Sequence, residues 1–204
     1  LASVSAIAIG GTPTAAKKTS DQKPSNQKPS NPPTRNHPND MSRFAHIHQK
    51  IKTAEQIRDA VAQWHAAGER IVFTNGCFDI LHFGHLHYLA EARDLGDRLV
   101  IGLNSGDSVR RLKGATRPIN DEATRAHLLA ALEVVDAVVF FPEDTPLELI
   151  KTVQPDVLVK GGDWKPEQII GSDLVLARGG AVRSLPFVDG YSTTKIEQKI
   201  LLGK

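Results

Sequence analysis

The chain has 204 residues, 40% of them hydrophobic, with a formal net charge of +2. That length and apolar content suit one α/β domain with a real core, and the longest apolar runs are far too short to cross a bilayer. Residues 1–40 hold five Lys/Arg against two Asp/Glu, and the remainder 20 against 21; no global basic field selects nucleic acid or a membrane surface, so any phosphate binding must come from a local site.

The first forty residues differ in kind from the rest. The opening LASVSAIAIGG is apolar but has no basic segment ahead of it, and does not read as a signal peptide. The tract KKTSDQKPSNQKPSNPPTRNHPND offers almost nothing to bury and is expected to be disordered. It is either a natural flexible tail or untranslated or appended sequence ahead of a true start at Met41, the only methionine; the second reading is favoured. The folded domain is therefore assigned to 41–204. Cys77 is the only cysteine, so an intrachain disulfide is excluded and a reducing, cytoplasmic setting is expected.

From Thr53 a regular alternation begins. TAEQIRDAVAQWHAAG has Thr53 as N-cap, Gln56 at the capping-box position and Gly68 as the stop. RIVFTN reads as a buried strand, GHLHYLAEARDLG as a helix, DRLVIGLN as a strand and DEATRAHLLAALEVV as a helix. DAVVFF, DVLVKG and AVRSLP supply three further strands, interleaved with TPLELIKTV and SDLVLARG, and STTKIEQKILL closes the chain as a capped helix. Five strands separated by helices predict a Rossmann-like three-layer α/β sandwich around a five-stranded parallel sheet. Ligands of such sheets sit outside the carboxyl ends of the strands where the strand order reverses.

The loop after the first of these strands is NGCFDILHFGH. Gly76 allows a tight turn, Gly84 a close backbone approach to a ligand, and His85 falls in the first turn of a helix, where free N–H groups and the dipole favour anions. Two imidazoles beside that helix end can hydrogen-bond a phosphate as its charge shifts. Metal ligation by His82, His85 and His87 fails on geometry, because His85 and His87 face different sides of a helix; His87 is read as structural. Cys77 as a nucleophile lacks an implied base. An NAD-binding domain is excluded, since no GxGxxG follows the strand.

NGCFDILHFGH resembles the GxFDxxHxGH signature of the cytidylyltransferase-like nucleotidyltransferases. GLNSGDSVRRLKGATRPIN, the stretch from ALEVVDAVVFF to VKGGDW, and GGAVRSLPFVDGYSTTKI look like the bacterial heptose-1-phosphate adenylyltransferases. In many members of that family this domain is the carboxyl half of a fusion with a sugar kinase, and these 204 residues contain no such half. The resemblance implies His82 and His85 as contacts of the triphosphate in the transition state, with Lys113 and Arg117 in the KGATRP loop neutralising phosphate charge. Thr74, Asn75, Gly76, Cys77, Phe78, Asp79 and Gly84 would form the nucleotide loop. Arg125 matches a family arginine near the sugar phosphate, the alternative being an exposed helical arginine. Lys160, Gly161, Gly162 and Asp163 follow a strand where a ligand is expected, and Ser192, Thr193 and Thr194 combine an N-cap with a phosphate cradle. Where members commonly read NSDAS this chain reads NSGDS, leaving Gly106 at the usual Asp position and Asp107 to compensate.

The implied reaction is magnesium-dependent transfer of AMP from ATP to D-glycero-β-D-manno-heptose 1-phosphate, giving ADP-heptose for the lipopolysaccharide core. The implied partners are ATP and a sugar 1-phosphate, without nucleic acid or membrane; the metal ligands are unknown and a homodimer is open. Two alternatives stand: a glycerol-3-phosphate cytidylyltransferase-like enzyme, and a non-catalytic nucleotide-binding module, which intact His82 and His85 oppose. Those cytidylyltransferases carry an arginine five residues before the serine of their STT segment, where this chain has Phe187. Phe187 offers stacking but no polar contact to a base, or packs in the core behind the loop.

Overall fold

A computed structural model describes residues 42–203; the expected tail over 1–40 lies outside the described residues. The strands are β1 (Ile51–Lys52), β2 (Ile71–Gly76), β3 (Arg98–Asn104), β4 (Ala137–Phe141), β5 (Val157–Gly161) and β6 (Ala181–Leu185). The helices are α1 (Arg43–Gln49), α2 (Ala54–Ala66), α3 (Phe83–Arg93), α4 (Gly106–Lys113), α5 (Glu122–Ala130), α6 (Leu147–Val153), α7 (Ser172–Ala177) and α8 (Thr193–Leu202). All strand pairs are parallel, in the order β1-β4-β3-β2-β5-β6. The sheet thus has six strands where five are expected: β1 is two residues long and pairs only with β4, too short for a period of two to show. None of the helices among the described residues is long and apolar enough to cross a membrane.

The strands read as continuous apolar runs because helices cover both faces of a parallel sheet. Ile71, Phe73 and Val100 point into one core with Ile57 of α2, Ile150 of α6 and Val175 of α7. Their neighbours Val72, Leu99 and Ile101 point into the other, with Leu89 of α3 and Leu129 of α5. That alternation is the side-chain period of a strand. Local signals set the helix starts: Thr53 accepts from the Gln56 N–H while the Gln56 side chain accepts from the Thr53 N–H, a capping box whose Ser/Thr half alone is worth about 1 kcal/mol.

Two helices stop earlier than apolar periodicity predicts. α5 ends at Ala130, not Val135, because the Leu132 and Val135 N–H groups bond three residues back in tight turns. α3 ends at Arg93, and the Leu95 and Gly96 N–H groups likewise turn back three residues. From β2 the chain runs outward through β3 to β4, then returns to the opposite side of β2 for β5 and β6. The order therefore reverses at β2, and a crevice opens at the carboxyl ends of β2 and β5.

Candidate active site

Residues 77–82 carry the chain from β2 into α3, and this loop is pinned from several sides. Phe78 has φ 44, a left-handed backbone that costs a non-glycine residue about 1–3 kcal/mol and persists only where its surroundings over-determine it. The Cys77 carbonyl accepts from Arg125 Nη1 at 2.8 Å, and the Asp79 carbonyl from Asn120 Nδ2 at 2.6 Å. The Asp79 carboxylate accepts from the backbone N–H of Ile119 at 2.8 Å, that of Asn120 at 2.9 Å and Arg117 Nη1 at 2.9 Å. Burial alone would raise the Asp79 carboxyl, but these donors outweigh it and hold it below the usual carboxylate range.

The loop delivers His82 to the N-cap of α3 and His85 to its first turn. His82 makes no capping hydrogen bond through its side chain, in contrast to the caps Thr53, Asp121 and Ser192 of α2, α5 and α8. The two imidazoles stack with centroids 3.9 Å apart and planes 21° apart, and Phe78 tilts against His85 at 5.2 Å. Both Nδ1 atoms are buried without a hydrogen-bond partner. Burial, reinforced by neighbouring His82, lowers His85 to about 4, and burial lowers His82 as well. Both rings are thus neutral at pH 7.

Two cavities meet at Cys77, Phe78, His85 and Thr193, which line both. One, of about 430 Å³, is bordered by Asp79, Val109, Lys113, Arg117 and Thr194. The other, of about 500 Å³, is bordered by Asn75, Gly76, His82, Gly84, Tyr88, Lys160, Gly161, the Phe187–Ser192 segment and Lys195. Lys160 sits 3.5 Å from Asn75 Oδ1, and burial pushes its ammonium below the ordinary lysine value. Lys113, Lys160 and Lys195 have no carboxylate partner among the described residues. Three uncompensated ammonium groups around two neutral imidazoles suit a polyanionic ligand. Among the described residues no group of three or more His, Cys, Asp or Glu side chains is placed to hold a metal, and the Asp79 carboxylate is engaged by Arg117 and backbone N–H groups.

Several residues expected at the site stand differently. Lys113 is the last residue of α4, not part of the following loop. Arg117 lies between the carboxylates of Asp79 and Glu197. Arg125 is fully buried, not an exposed helical arginine; its Nη1 holds the carbonyls of Cys77 and Asn104, each at 2.8 Å, while Nε and Nη2 have no partner. The Thr74 hydroxyl is buried and bonded to Tyr88 Oη at 2.6 Å. Gly84 gives room to protein: a Cβ there would come within 3.1 Å of Tyr191 Cβ and 3.2 Å of the His82 ring. Gly162 and Asp163 line neither cavity. Asp107 is exposed and paired with Arg110, so it does not replace the missing carboxylate at Gly106. His87 faces Glu91 at 3.5 Å, away from both cavities. Phe187 is 71% exposed and its ring covers Gly161 and Gly162, so the core-packing alternative fails.

Sequence reasoning missed Tyr88, Tyr191 and Lys195. Lys195 left a signal: a lysine in the first turn of α8 opposes the helix dipole, which an anion bound there would relieve.

An HxGH pair at the carboxyl end of the central strand of a parallel α/β sheet, facing a cation-lined crevice, defines a nucleotidyltransferase domain. The chain belongs to the cytidylyltransferase-like family, whose profile matches residues 73–199. It is 58% identical over 154 residues to the bifunctional protein HldE of Geotalea uraniireducens, covering 76% of this chain and 31% of that protein. The bifunctional protein HldE of Citrifermentans bemidjiense is 56% identical over 152 residues, 74% of this chain and 31% of its own length. The chain thus spans under a third of these curated relatives. Among solved structures, a lipopolysaccharide core biosynthesis protein from Thermoplasma volcanium is 31% identical, matching 61% of this chain and all of that one with a TM-score of 0.49.

Proposed function

We propose that this domain transfers AMP from ATP to D-glycero-β-D-manno-heptose 1-phosphate, giving ADP-heptose and pyrophosphate for the lipopolysaccharide core, in the cytoplasm. The observation that carries the reading is the stacked pair His82 and His85, lining the crevice at the open end of α3 beside three lysines that have no carboxylate partner among the described residues.

A phosphate oxygen of the sugar 1-phosphate attacks the α-phosphorus of ATP in line. The new P–O bond forms as the bond from the α-phosphorus to the bridging oxygen breaks, and pyrophosphate leaves with that electron pair. No covalent enzyme intermediate forms, so the protein's part is positioning and charge stabilisation. His82 and His85 hydrogen-bond the α-phosphate as negative charge shifts across it. Lys160 and Lys195 hold the triphosphate in the larger cavity, with adenine against Phe187. Lys113 and the Thr193–Thr194 end of α8 receive the sugar phosphate in the smaller one. Mg²⁺ would come in as part of the MgATP substrate and would supply neutralisation of the triphosphate charge beside Lys160 and Lys195.

The test is incubation of the full chain with ATP, Mg²⁺ and heptose 1-phosphate. ADP-heptose and pyrophosphate should appear in equal amounts, and excess EDTA should stop both. No ADP-heptose in the presence of Mg²⁺, or full turnover in EDTA, would defeat the proposal.

A further inference from the structure

Arg117 has the sequence position of a phosphate-binding cation, yet both ends of its guanidinium are committed. Nη1 donates to Asp79 Oδ2 at 2.9 Å and Nη2 donates to Glu197 Oε2. The side chains of Arg117, Asp79 and Glu197 are 15%, 7% and 39% exposed, so the Asp79 arm is shielded from solvent and the Glu197 arm is partly screened. Asp79 lies in the loop that sets Phe78 and His82. Glu197 lies on α8, one turn beyond Thr193. A phosphate reaching for these nitrogens would have to displace a carboxylate.

α8 has little else to hold it. None of its residues is buried, and Ile200, Leu201 and Leu202 are 71%, 78% and 68% exposed. A ten-residue helix whose only half-buried apolar residue is Ile196 is marginal by itself and depends on its few tertiary contacts. Just ahead of it, Tyr191 rests on Phe83 with centroids 5.1 Å apart. The other link is Glu197 to Arg117. Yet the first turn of α8 supplies Thr193, Thr194 and Lys195 to the two cavities.

We infer that Arg117 is a positioning residue, a clamp that fastens α8 to the histidine loop through Glu197 and Asp79 and so holds the Thr193–Lys195 turn over the reacting phosphates. Loosening the clamp withdraws one wall of the site without touching His82 or His85. The inference rests on the proposed function for its kinetic readout only; the position of α8 can be followed without turnover.

The test uses the full chain with Glu197→Gln, Arg117→Ala and both together. Glu197→Gln leaves Arg117 on Asp79, so the loop keeps its anchor even if Arg117→Ala fails to fold. Amide hydrogen exchange across 195–202 should accelerate about fivefold or more in Glu197→Gln, as a local opening becomes easier. KM for MgATP should rise about five- to tenfold with kcat within about twofold, a loss of ground-state and transition-state binding alike. Adding Arg117→Ala should accelerate exchange over 195–202 little further, since the link of α8 to Arg117 is already gone; any added kinetic loss comes from the Asp79 contact, which only Arg117→Ala removes. Unchanged exchange over 195–202 in Glu197→Gln overturns the inference. So does an Arg117→Ala loss of about 10²-fold in kcat on both backgrounds, as expected for a direct transition-state donor. If the unmodified chain releases no pyrophosphate, the proposed reaction fails and the exchange measurement alone decides on the clamp.

Discussion

Replacing Phe187 with alanine should weaken ATP recognition while leaving the fold intact. The ring is 71% exposed and lies on the backbone of Gly161 and Gly162, where an added Cβ at Gly161 would come within 2.8 Å of Phe187 Cε1. Fully burying such a side chain is worth about 1.5–3 kcal/mol. Less than a third of this one is covered, so truncation should cost under about 1 kcal/mol of stability. Stacking of a base on an aromatic ring is worth roughly 1–3 kcal/mol by alanine substitution, or about five- to 150-fold in binding. Phe187→Ala should therefore raise KM for ATP within that range, with kcat within about threefold and the melting temperature nearly unchanged. Pyrophosphate release with ATP and CTP in parallel gives both constants. The unmodified chain should favour ATP by at least about tenfold in kcat/KM, some 1.4 kcal/mol. Phe187→Arg, which restores a polar edge contact, should narrow that ratio. An unaltered KM for ATP in Phe187→Ala would refute the assignment of this ring to the base, and a preference of the unmodified chain for CTP would favour the cytidylyltransferase alternative.

Alanine at His82 or His85 should lower kcat by about 10²-fold or more in a folded protein, as loss of a transition-state donor does, whereas His87→Ala should stay within a few-fold; normal turnover by either of the first two would remove the basis of the site. His85 is lowered from 6.5 to about 4 by burial, so its stabilisation is fully present above pH 6.5 and is lost as pH falls toward 4, by about 3 kcal/mol. The melting temperature should drop over that window, His85→Gln should flatten the drop, and identical pH profiles for the two proteins would refute the linkage. A chain beginning at Met41 should retain the activity and the melting temperature of the 204-residue chain; a loss of several degrees, read by calorimetry, would mean that residues 1–40 stabilise the domain.

The sheet was legible because RIVFTN, DRLVIGLN and DVLVKG are buried on both faces, and such strands need unbroken apolar sequence. β1 was not, since two residues hold no period. The histidine loop could be placed from Gly76 and the strand-to-helix change alone, but what fastens it could not. Arg125 meets carbonyls 48 and 21 residues away, and Arg117 meets Glu197 80 residues away. Nothing local in the chain reports partners at that distance. Arg117 therefore reads as a site cation in sequence and Arg125 as either a site cation or an exposed helical residue, whereas in the folded chain Arg125 ties the ends of two strands and Arg117 joins a loop to a helix. Phe187 shows the same limit from the other side: the sequence allowed base or core, and its exposure removes the core alternative.

The central claim, displacement at the α-phosphorus of ATP, is tested most directly by following label. With heptose 1-phosphate, Mg²⁺ and ATP labelled at the α-phosphate, radioactivity should pass into ADP-heptose, and with the label at the γ-phosphate it should leave entirely in pyrophosphate. Transfer of the γ-label to the sugar, or an α-label that stays in ATP while the unmodified enzyme is folded and saturated, would contradict it.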